Sequence, residues 1–202
     1  MRMSKKIVPV ILGPTASGKT RLSLDLAELF GGEIISADSR QIYRHMDIGT
    51  AKPSAEEMRS VPHHCIDIAD PDEYFSAGEY SRIARKAVND IFRRGRLPLA
   101  AGGSGLYIQA LFEGVFEGGK RNDAIRRRLK EESEEKGVQA LYNRLAAADP
   151  EAAEKIHSND RRRIIRALEV METSGTAISK LRRERTRSAD FEPLYIGLSR
   201  PR

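Results

Sequence analysis

Near the N-terminus the sequence contains Gly13-Pro14-Thr15-Ala16-Ser17-Gly18-Lys19-Thr20, and this stretch decides the fold. It fits the pattern G-x-x-x-x-G-K-[ST]. In a loop of this kind, backbone N–H groups bind a diphosphate, the lysine neutralises its charge, and the Ser or Thr hydroxyl binds the accompanying metal ion. Residues 7–12 before it form an apolar run typical of a buried parallel strand. Apolar residues follow at helical spacing, namely Leu22, Leu26, Leu29 and Phe30. A strand, loop and helix in this order aim a helix N-terminus at an anion, which predicts a diphosphate-binding site.

The composition indicates a globular protein without disulfides. The chain has 202 residues, 40% of them hydrophobic, and one cysteine, Cys65, which lies in an apolar stretch and is predicted to be a small core residue. A single cysteine favours a reducing compartment. The apolar runs fall short of the roughly 18 residues of a membrane span, and the N-terminus lacks a signal-peptide core. We therefore expect a cytoplasmic protein with no membrane partner.

Positive charge is concentrated in one part of the sequence. The net charge is +6, and residues 157–190 carry nine Lys or Arg against five Asp or Glu. A local basic surplus of this kind is a possible footprint of nucleic acid.

The pattern of elements predicts an α/β fold with a P-loop NTPase-like wound parallel sheet flanked by helices. Further strands are expected at residues 33–37, 64–68 and 97–101. A capping box formed by Ser76 and Glu79 predicts the start of a helix that ends near Gly95.

Charged helical segments replace this alternation after about residue 116, and Gly137, Asp149-Pro150 and Gly175 divide them into three or four short helices. A strand signal returns at residues 194–198. We therefore predict a core domain of residues 1–115 and 191–202 with a small all-helical insertion domain of residues 116–190. The last predicted strand has no helix to cover it, which predicts a C-terminally truncated chain.

The chemistry-bearing residues follow the predicted strands. Lys19 is expected to meet phosphate oxygens, and the hydroxyl of Thr20 is the expected ligand of Mg²⁺. Asp38 follows the second strand, at the edge of the sheet where ligands of wound folds bind, although such a residue can also be a helix cap. Ser104 lies between glycines after the fourth strand, where a turn residue is the alternative.

These stretches, taken together and in order, resemble the tRNA dimethylallyltransferases. The resemblance rests on residues 13–20, Asp38-Ser39-Arg40-Gln41-Ile42-Tyr43, residues 46–53 and Gly102-Gly103-Ser104-Gly105-Leu106-Tyr107. Further matches are Pro62-His63-His64, residues 157–160 and residues 166–169, so the resemblance extends over nearly the whole chain.

The resemblance implies transfer of a dimethylallyl group from dimethylallyl diphosphate to the exocyclic amine of the adenosine 3′ to the anticodon. The loop of residues 13–20 then binds the leaving diphosphate with Mg²⁺, Asp38 is the general base, and Lys19, Thr20 and Ser104 assist catalysis. The partner is the anticodon stem-loop of tRNA, and we expect a monomer. The implied tRNA contacts are Asp38, Ser39, Arg40, Gln41, Ser104, Arg126, Arg162, Arg163, Ile164, Ile165 and Arg166.

Three other functions stay open. The same loop would serve a P-loop small-molecule kinase that uses ATP, with a transition-state arginine on a lid. An adenylate isopentenyltransferase would run the same chemistry on free AMP, although so small an acceptor does not need a basic helical insertion. A truncated chain could also be an RNA-binding remnant. Because relatives of this family continue past the end of this chain, we expect it to transfer prenyl groups poorly.

Overall fold

The computed structural model of the chain describes residues 6–116 and 121–199, with only the backbone of Arg185. The described residues form two compact units, one built from the chain up to Val115 and from Arg187 onward, the other from Phe116–Thr186. The predicted domain ranges also cover residues 1–5, 117–120 and 200–202, which lie outside the described residues.

The first unit is built on a five-stranded parallel sheet with the strand order β3-β2-β4-β1-β5. The strands are β1 (Lys6–Leu12), β2 (Gly32–Ser36), β3 (His63–His64), β4 (Leu97–Gly102) and β5 (Phe191–Gly197). The helices are α1 (Lys19–Phe30), α2 (Ala55–Ser60), α3 (Ala77–Arg93) and α4 (Gly105–Phe112), with a 3-10 turn at Ile48–Thr50. A parallel sheet flanked by helices confirms the predicted fold class.

Apolar side chains cover both faces of the sheet, as its buried strands require. Val8 and Val10 pack with α3 and α4, whereas Ile11 packs with α1 on the other side. The apolar stripe expected for α1 is partly wrong, because Leu29 and Phe30 are exposed. The helix instead buries Ser23, Leu24 and Ala27.

The predicted capping box is present at α3. Ser76 accepts from the N–H of Glu79, and the Glu79 carboxylate accepts from the N–H of Ser76. The strand expected at residues 64–68 is wrong, since β3 ends at His64. Cys65 and Asp67 adopt left-handed φ angles of 64° and 53°, which no continuing strand tolerates. Cys65 is buried, as expected, and burial raises the pKa of its thiol to about 12.

A buried carboxylate ties β2 to its neighbours. Glu33 is 4% exposed and pairs with His64, Arg94 and Arg96, and we call these four residues the Glu33 cluster. Burial alone would raise the pKa of Glu33, but the hydrogen bonds from Arg94, His64 and Arg96 outweigh it and lower the pKa to about 2. The ion pairs of Glu33 with Arg94 and Arg96 hold the start of β2 against the end of α3.

The second unit contains five helices within its described residues, rather than the three or four expected. They are α5 (Asp123–Lys136), α6 (Val138–Ala148), α7 (Pro150–Glu154), α8 (Arg161–Ser174) and α9 (Ile178–Arg185). Side chains of Asn122, Asp149 and Asp160 cap three of them. Leucine and isoleucine side chains from α5, α6 and α8 form a separate hydrophobic core. In the described part of the chain, no helix is long and apolar enough to cross a membrane.

Candidate functional site

The loop between β1 and α1 is shaped by its glycines. Gly18 precedes α1 with a φ of 94°, a conformation that a side chain would strain. A Cβ at Gly13 would lie 2.6 Å from Ser17 Oγ and 2.8 Å from the Leu198 carbonyl oxygen, so only glycine fits there. The ammonium of Lys19 donates to the carbonyls of Gly13 at 2.8 Å and Pro14 at 2.7 Å. The cation therefore lies along the loop that the sequence assigns to phosphates.

Asp38 lies just after the end of β2, in a segment whose backbone is held by hydrogen bonds. The preceding residue, Ala37, donates its N–H to Ala101 at 2.8 Å and accepts from the N–H of Ser104 at 3.1 Å. Asp38 Oδ1 accepts from the N–H of Arg40 at 2.8 Å. These contacts fix the position of the Asp38 backbone and orient its carboxylate. A side chain that takes part in a reaction needs such support to stay close to the reacting atom.

One pocket brings the loop lysine and the strand-end carboxylate together. It holds about 380 Å³ of empty space, part of it open to solvent. Its lining residues are Lys19, Thr20, Ser23, Ile34, Ser36, Asp38, Gln41, Pro53, His63, Ala101 and Gly102. Four of the residues expected from the sequence, Lys19, Thr20, Asp38 and Gln41, therefore share one cavity.

Some predicted residues lie outside this lining. The hydroxyl of Ser104 accepts from the N–H of Ser39 at 2.9 Å, and Arg40 is exposed. In this arrangement Ser104 joins the loop after β4 to the residue that follows Asp38. A direct contact of Ser104 with substrate stays a prediction.

Sequence reasoning missed several pocket residues. Ser36, Ala101 and His63 line the pocket. Ser36 and Ala101 lie in the carboxyl ends of β2 and β4, which is a signal that the sequence carried, whereas His63 precedes the strand expected at residues 64–68 and had no such signal. No metal-ligand spacing in the sequence distinguishes His63. Its Nδ1 lies 2.8 Å from the Val61 carbonyl oxygen, and burial, the largest influence, lowers its pKa. An uncharged imidazole is therefore favoured in the pocket.

The pocket residues fit a magnesium ion that is bound mainly by the phosphate groups of a bound diphosphate and by water. Among the described residues no group of three or more His, Cys, Asp or Glu could bind a metal by itself. Mg²⁺ in phosphate sites commonly uses one or two protein oxygens together with phosphate oxygens and water. The Thr20 hydroxyl, which lines the pocket, offers one such oxygen.

In the second unit, two arginines expected at tRNA are bound to a buried carboxylate. Glu169 is fully buried and lies 2.8 Å from Arg126 and 3.2 Å from Arg166. Burial would raise the pKa of Glu169, but bonds from Arg126, the N–H of Asn122 and Arg166 lower it overall. Arg126 is 23% exposed and its guanidinium neutralises Glu169, and its contact with an RNA backbone stays a prediction.

Two further residues expected at tRNA belong to the helical core. Ile164 is fully buried and Ile165 is 5% exposed. A contact of these two residues with tRNA stays a prediction. Arg162 and Arg163 beside them are exposed at the start of α8, and Arg163 lies 3.4 Å from Asp160. The accessible cations of this helix start are therefore fewer than the sequence indicated.

The chain matches one protein family and several of its members over most of its length. Residues 41–202 match the family described as IPP transferase. The chain is 52% identical over 192 residues to a tRNA dimethylallyltransferase of Desulfosudis oleivorans, covering 95% of this chain and 61% of that protein. It is 45% identical to a tRNA dimethylallyltransferase of Bacillus subtilis, covering 100% of this chain and 65% of that protein.

Solved structures agree. A tRNA isopentenylpyrophosphate transferase of Staphylococcus epidermidis matches with a TM-score of 0.57 and 43% identity, over 96% of this chain and 63% of that one. A eukaryotic dimethylallyltransferase acting on tRNA matches with a TM-score of 0.78 and 32% identity, over 96% of this chain and 48% of that one. The chain thus spans less than two thirds of the length of these relatives.

Proposed function

Because the chain belongs to the IPP transferase family, we propose that its pocket transfers a dimethylallyl group from dimethylallyl diphosphate to tRNA. The acceptor is the exocyclic amine of the adenosine on the 3′ side of the anticodon. The observation that carries this proposal is the pocket in which Lys19 and Thr20 of the loop meet Asp38 at the end of β2. It offers one cationic and one anionic side chain to the same small molecule.

The cationic side suits a departing diphosphate. When the allylic C–O bond breaks, negative charge grows on the leaving oxygen. Backbone N–H groups of the loop and the ammonium of Lys19 stabilise that charge without reorganising. Thr20 would hold Mg²⁺, which when bound supplies further neutralisation of the diphosphate.

The anionic side suits the acceptor amine. An aromatic amine is a weak nucleophile, and it must lose one proton as its nitrogen forms the new C–N bond. The Asp38 carboxylate accepts that proton while the bond to diphosphate breaks. Its braced backbone holds the carboxylate in position for this transfer.

The basic helix start of the second unit suits the RNA. Arg162 and Arg163 are exposed, and arginine binds phosphates and stacks on bases. An adenine must leave its stack to be modified, so a grip on the surrounding stem is needed.

A donor and acceptor matrix tests the proposal. The chain is incubated with dimethylallyl diphosphate or ATP as donor, and with tRNA, AMP or a small hydroxyl compound as acceptor. We expect prenylated adenosine only in the tRNA with dimethylallyl diphosphate. Phosphoryl transfer from ATP would indicate a kinase, prenylated AMP an adenylate isopentenyltransferase, and RNA binding without product a non-catalytic RNA-binding protein.

A matched pair of variants assigns the base. Asp38→Asn should abolish product formation while leaving diphosphate affinity largely intact. Asp25→Asn on α1 removes an exposed carboxylate that pairs with Arg21, and it should not change the rate. Undiminished product from Asp38→Asn would remove Asp38 as the base.

A further inference from the structure

Lys52 is a buried cation with three partners. Its ammonium donates to the Tyr43 carbonyl at 2.9 Å, to Asp47 Oδ1 at 2.6 Å and to Asp67 Oδ1 at 2.6 Å. The side chain is 4% exposed, and an ammonium has three N–H groups to donate. All three are therefore used inside the protein, and Lys52 has none left for a ligand.

Two of the three partners of Lys52, Tyr43 and Asp47, lie with it on a loop of residues 41–53 beside the pocket. The side-chain amide of Gln41 donates to the carbonyls of Thr50 at 3.2 Å and Ala51 at 3.1 Å. Its Oε1 accepts from Ser36 Oγ at 2.8 Å. Gln41 and Pro53, at the two ends of this loop, both line the pocket.

A second segment fastens the start of the same loop. The N–H of Asp67 donates to the Gln41 carbonyl at 3.2 Å, and the N–H groups of Ile68 and Ala69 donate to Ile42 at 2.8 and 3.1 Å. Asp67 holds a left-handed φ of 53° while its carboxylate reaches Lys52. Lys52 thus connects the far end of the loop to the segment that holds its near end.

The charges explain why a cation is needed there. Burial disfavours a charged ammonium, but the hydrogen bonds from Lys52 to Asp47 and Asp67 outweigh it and raise the pKa of Lys52. Without this cation two carboxylates would face each other across the loop, a repulsion that opens it.

We propose that Lys52 is a positioning residue for the acceptor side of the pocket, acting through Gln41 and Pro53. The identity of the acceptor as an adenosine in RNA rests on the proposed function. Within the described part of the chain, the hydrogen bonds of the Lys19 ammonium go to the carbonyls of Gly13 and Pro14, in the loop after β1, and those of Lys52 go to other groups. Loss of Lys52 should therefore weaken use of the acceptor and spare the diphosphate.

The test compares Lys52→Met with Arg85→Met in ¹⁵N-labelled chain. Arg85 also donates to three backbone carbonyls of the first unit, those of Leu111, Arg187 and Ala110, and does not line the pocket. Gln41→Glu identifies the side-chain amide resonances of Gln41. In Lys52→Met we expect these resonances to move to the positions of solvent-exposed glutamine, and in Arg85→Met to stay.

Affinity and kinetics complete the test. Lys52→Met should change the Kd of inorganic diphosphate by no more than ~2-fold, while kcat/KM for an anticodon stem-loop falls ~10- to 100-fold, as expected of small misplacements. Arg85→Met should lower thermal stability without this selective loss. Unmoved Gln41 resonances in folded Lys52→Met, or equal losses from Arg85→Met, would overturn the role.

Failure of the variant to fold and failure of the proposed function give different results. If Lys52→Met does not fold, the Asp67→Asn variant tests the role of Lys52 instead, because it removes one carboxylate charge beside Lys52 and keeps the cation. The same Gln41 shift supports the role of Lys52, and an unchanged Gln41 overturns it. If the unaltered chain transfers no prenyl group, the proposed function fails, whereas the Gln41 resonances and the diphosphate affinity still decide the role of Lys52.

Discussion

Replacing Gly102 by alanine tests how Asp38 is held. A Cβ at Gly102 would lie 2.2 Å from the Ala37 carbonyl oxygen and 2.4 Å from its carbon, both backbone atoms. Cβ contacts in proteins essentially never fall under 3.0 Å, so the Ala37 carbonyl must move by about 0.8 Å. Ala37 is hydrogen-bonded to Ala101 and Ser104, so this shift carries the backbone of Asp38 with it.

Two effects of Gly102→Ala follow, and both are measurable. Overpacking of this kind costs about 1–3 kcal/mol, and each kcal/mol lowers Tm by about 2–4 °C in a chain of this length. A displacement of the base near 1 Å costs up to ~10²-fold in rate. Thermal unfolding followed by circular dichroism and the prenyl transfer rate report the two effects.

The control for this prediction is Gly197→Ala. A Cβ there meets nothing within 4 Å, and the glycine lies at the end of β5. We expect its Tm and transfer rate to stay near those of the unaltered chain. A Gly102→Ala variant with unchanged stability and unchanged rate would refute the reasoning that backbone contact positions Asp38.

Three further predictions address charge, burial and RNA. The lowered pKa of Glu33 means that its ionised carboxylate stabilises the fold above pH 4.5, and this contribution is lost as pH falls through about 2. Urea unfolding should therefore show Glu33→Gln to be less stable than the unaltered chain at pH 6, and the difference in unfolding free energy should shrink towards pH 2. The buried thiol of Cys65, with its pKa raised to about 12, should react with a thiol reagent at pH 8 at least ~100-fold more slowly in the folded chain than in urea; equal rates would show that it is accessible. Arg162→Glu should weaken binding of an anticodon stem-loop and reduce the salt slope of log K by ~1 or more, whereas Lys155→Glu, another exposed cation of the same unit, should not.

Local patterns predicted the parts of the fold that local physics determines. The run before Gly13, the loop itself and the capping box at Ser76 each depend on residues within a few positions of one another. They appear as β1, the turn into α1 and the start of α3. The pocket residue Lys19 followed from the loop pattern, and Asp38 followed from the rule that ligands of wound sheets bind at the carboxyl ends of strands.

Pairings between distant residues could not be predicted in the same way. The bond between Lys52 and Asp67 spans 15 positions, and that between Arg126 and Glu169 spans 43. A basic residue in a sequence carries no mark that tells an accessible cation from one neutralised by a buried carboxylate. The pairing of Arg126 with Glu169 was not predicted for this reason.

The left-handed backbone after β3 was also beyond the sequence pattern. Cys65, Ile66 and Ile68 have the composition of a strand, yet Cys65 and Asp67 turn with positive φ. That turn lets the Asp67 carboxylate reach Lys52 and the Asp67 N–H reach Gln41. Tertiary contacts outweigh the local preference here.

The most direct test of the central claim is a single-turnover reaction of the chain with dimethylallyl diphosphate and tRNA, followed by nucleoside analysis. We predict isopentenyladenosine at the position 3′ to the anticodon, formed slowly by this chain and reduced at least ~100-fold in Asp38→Asn. Absence of product, or the same amount from Asp38→Asn, would contradict a pocket in which the loop holds diphosphate and Asp38 takes the proton.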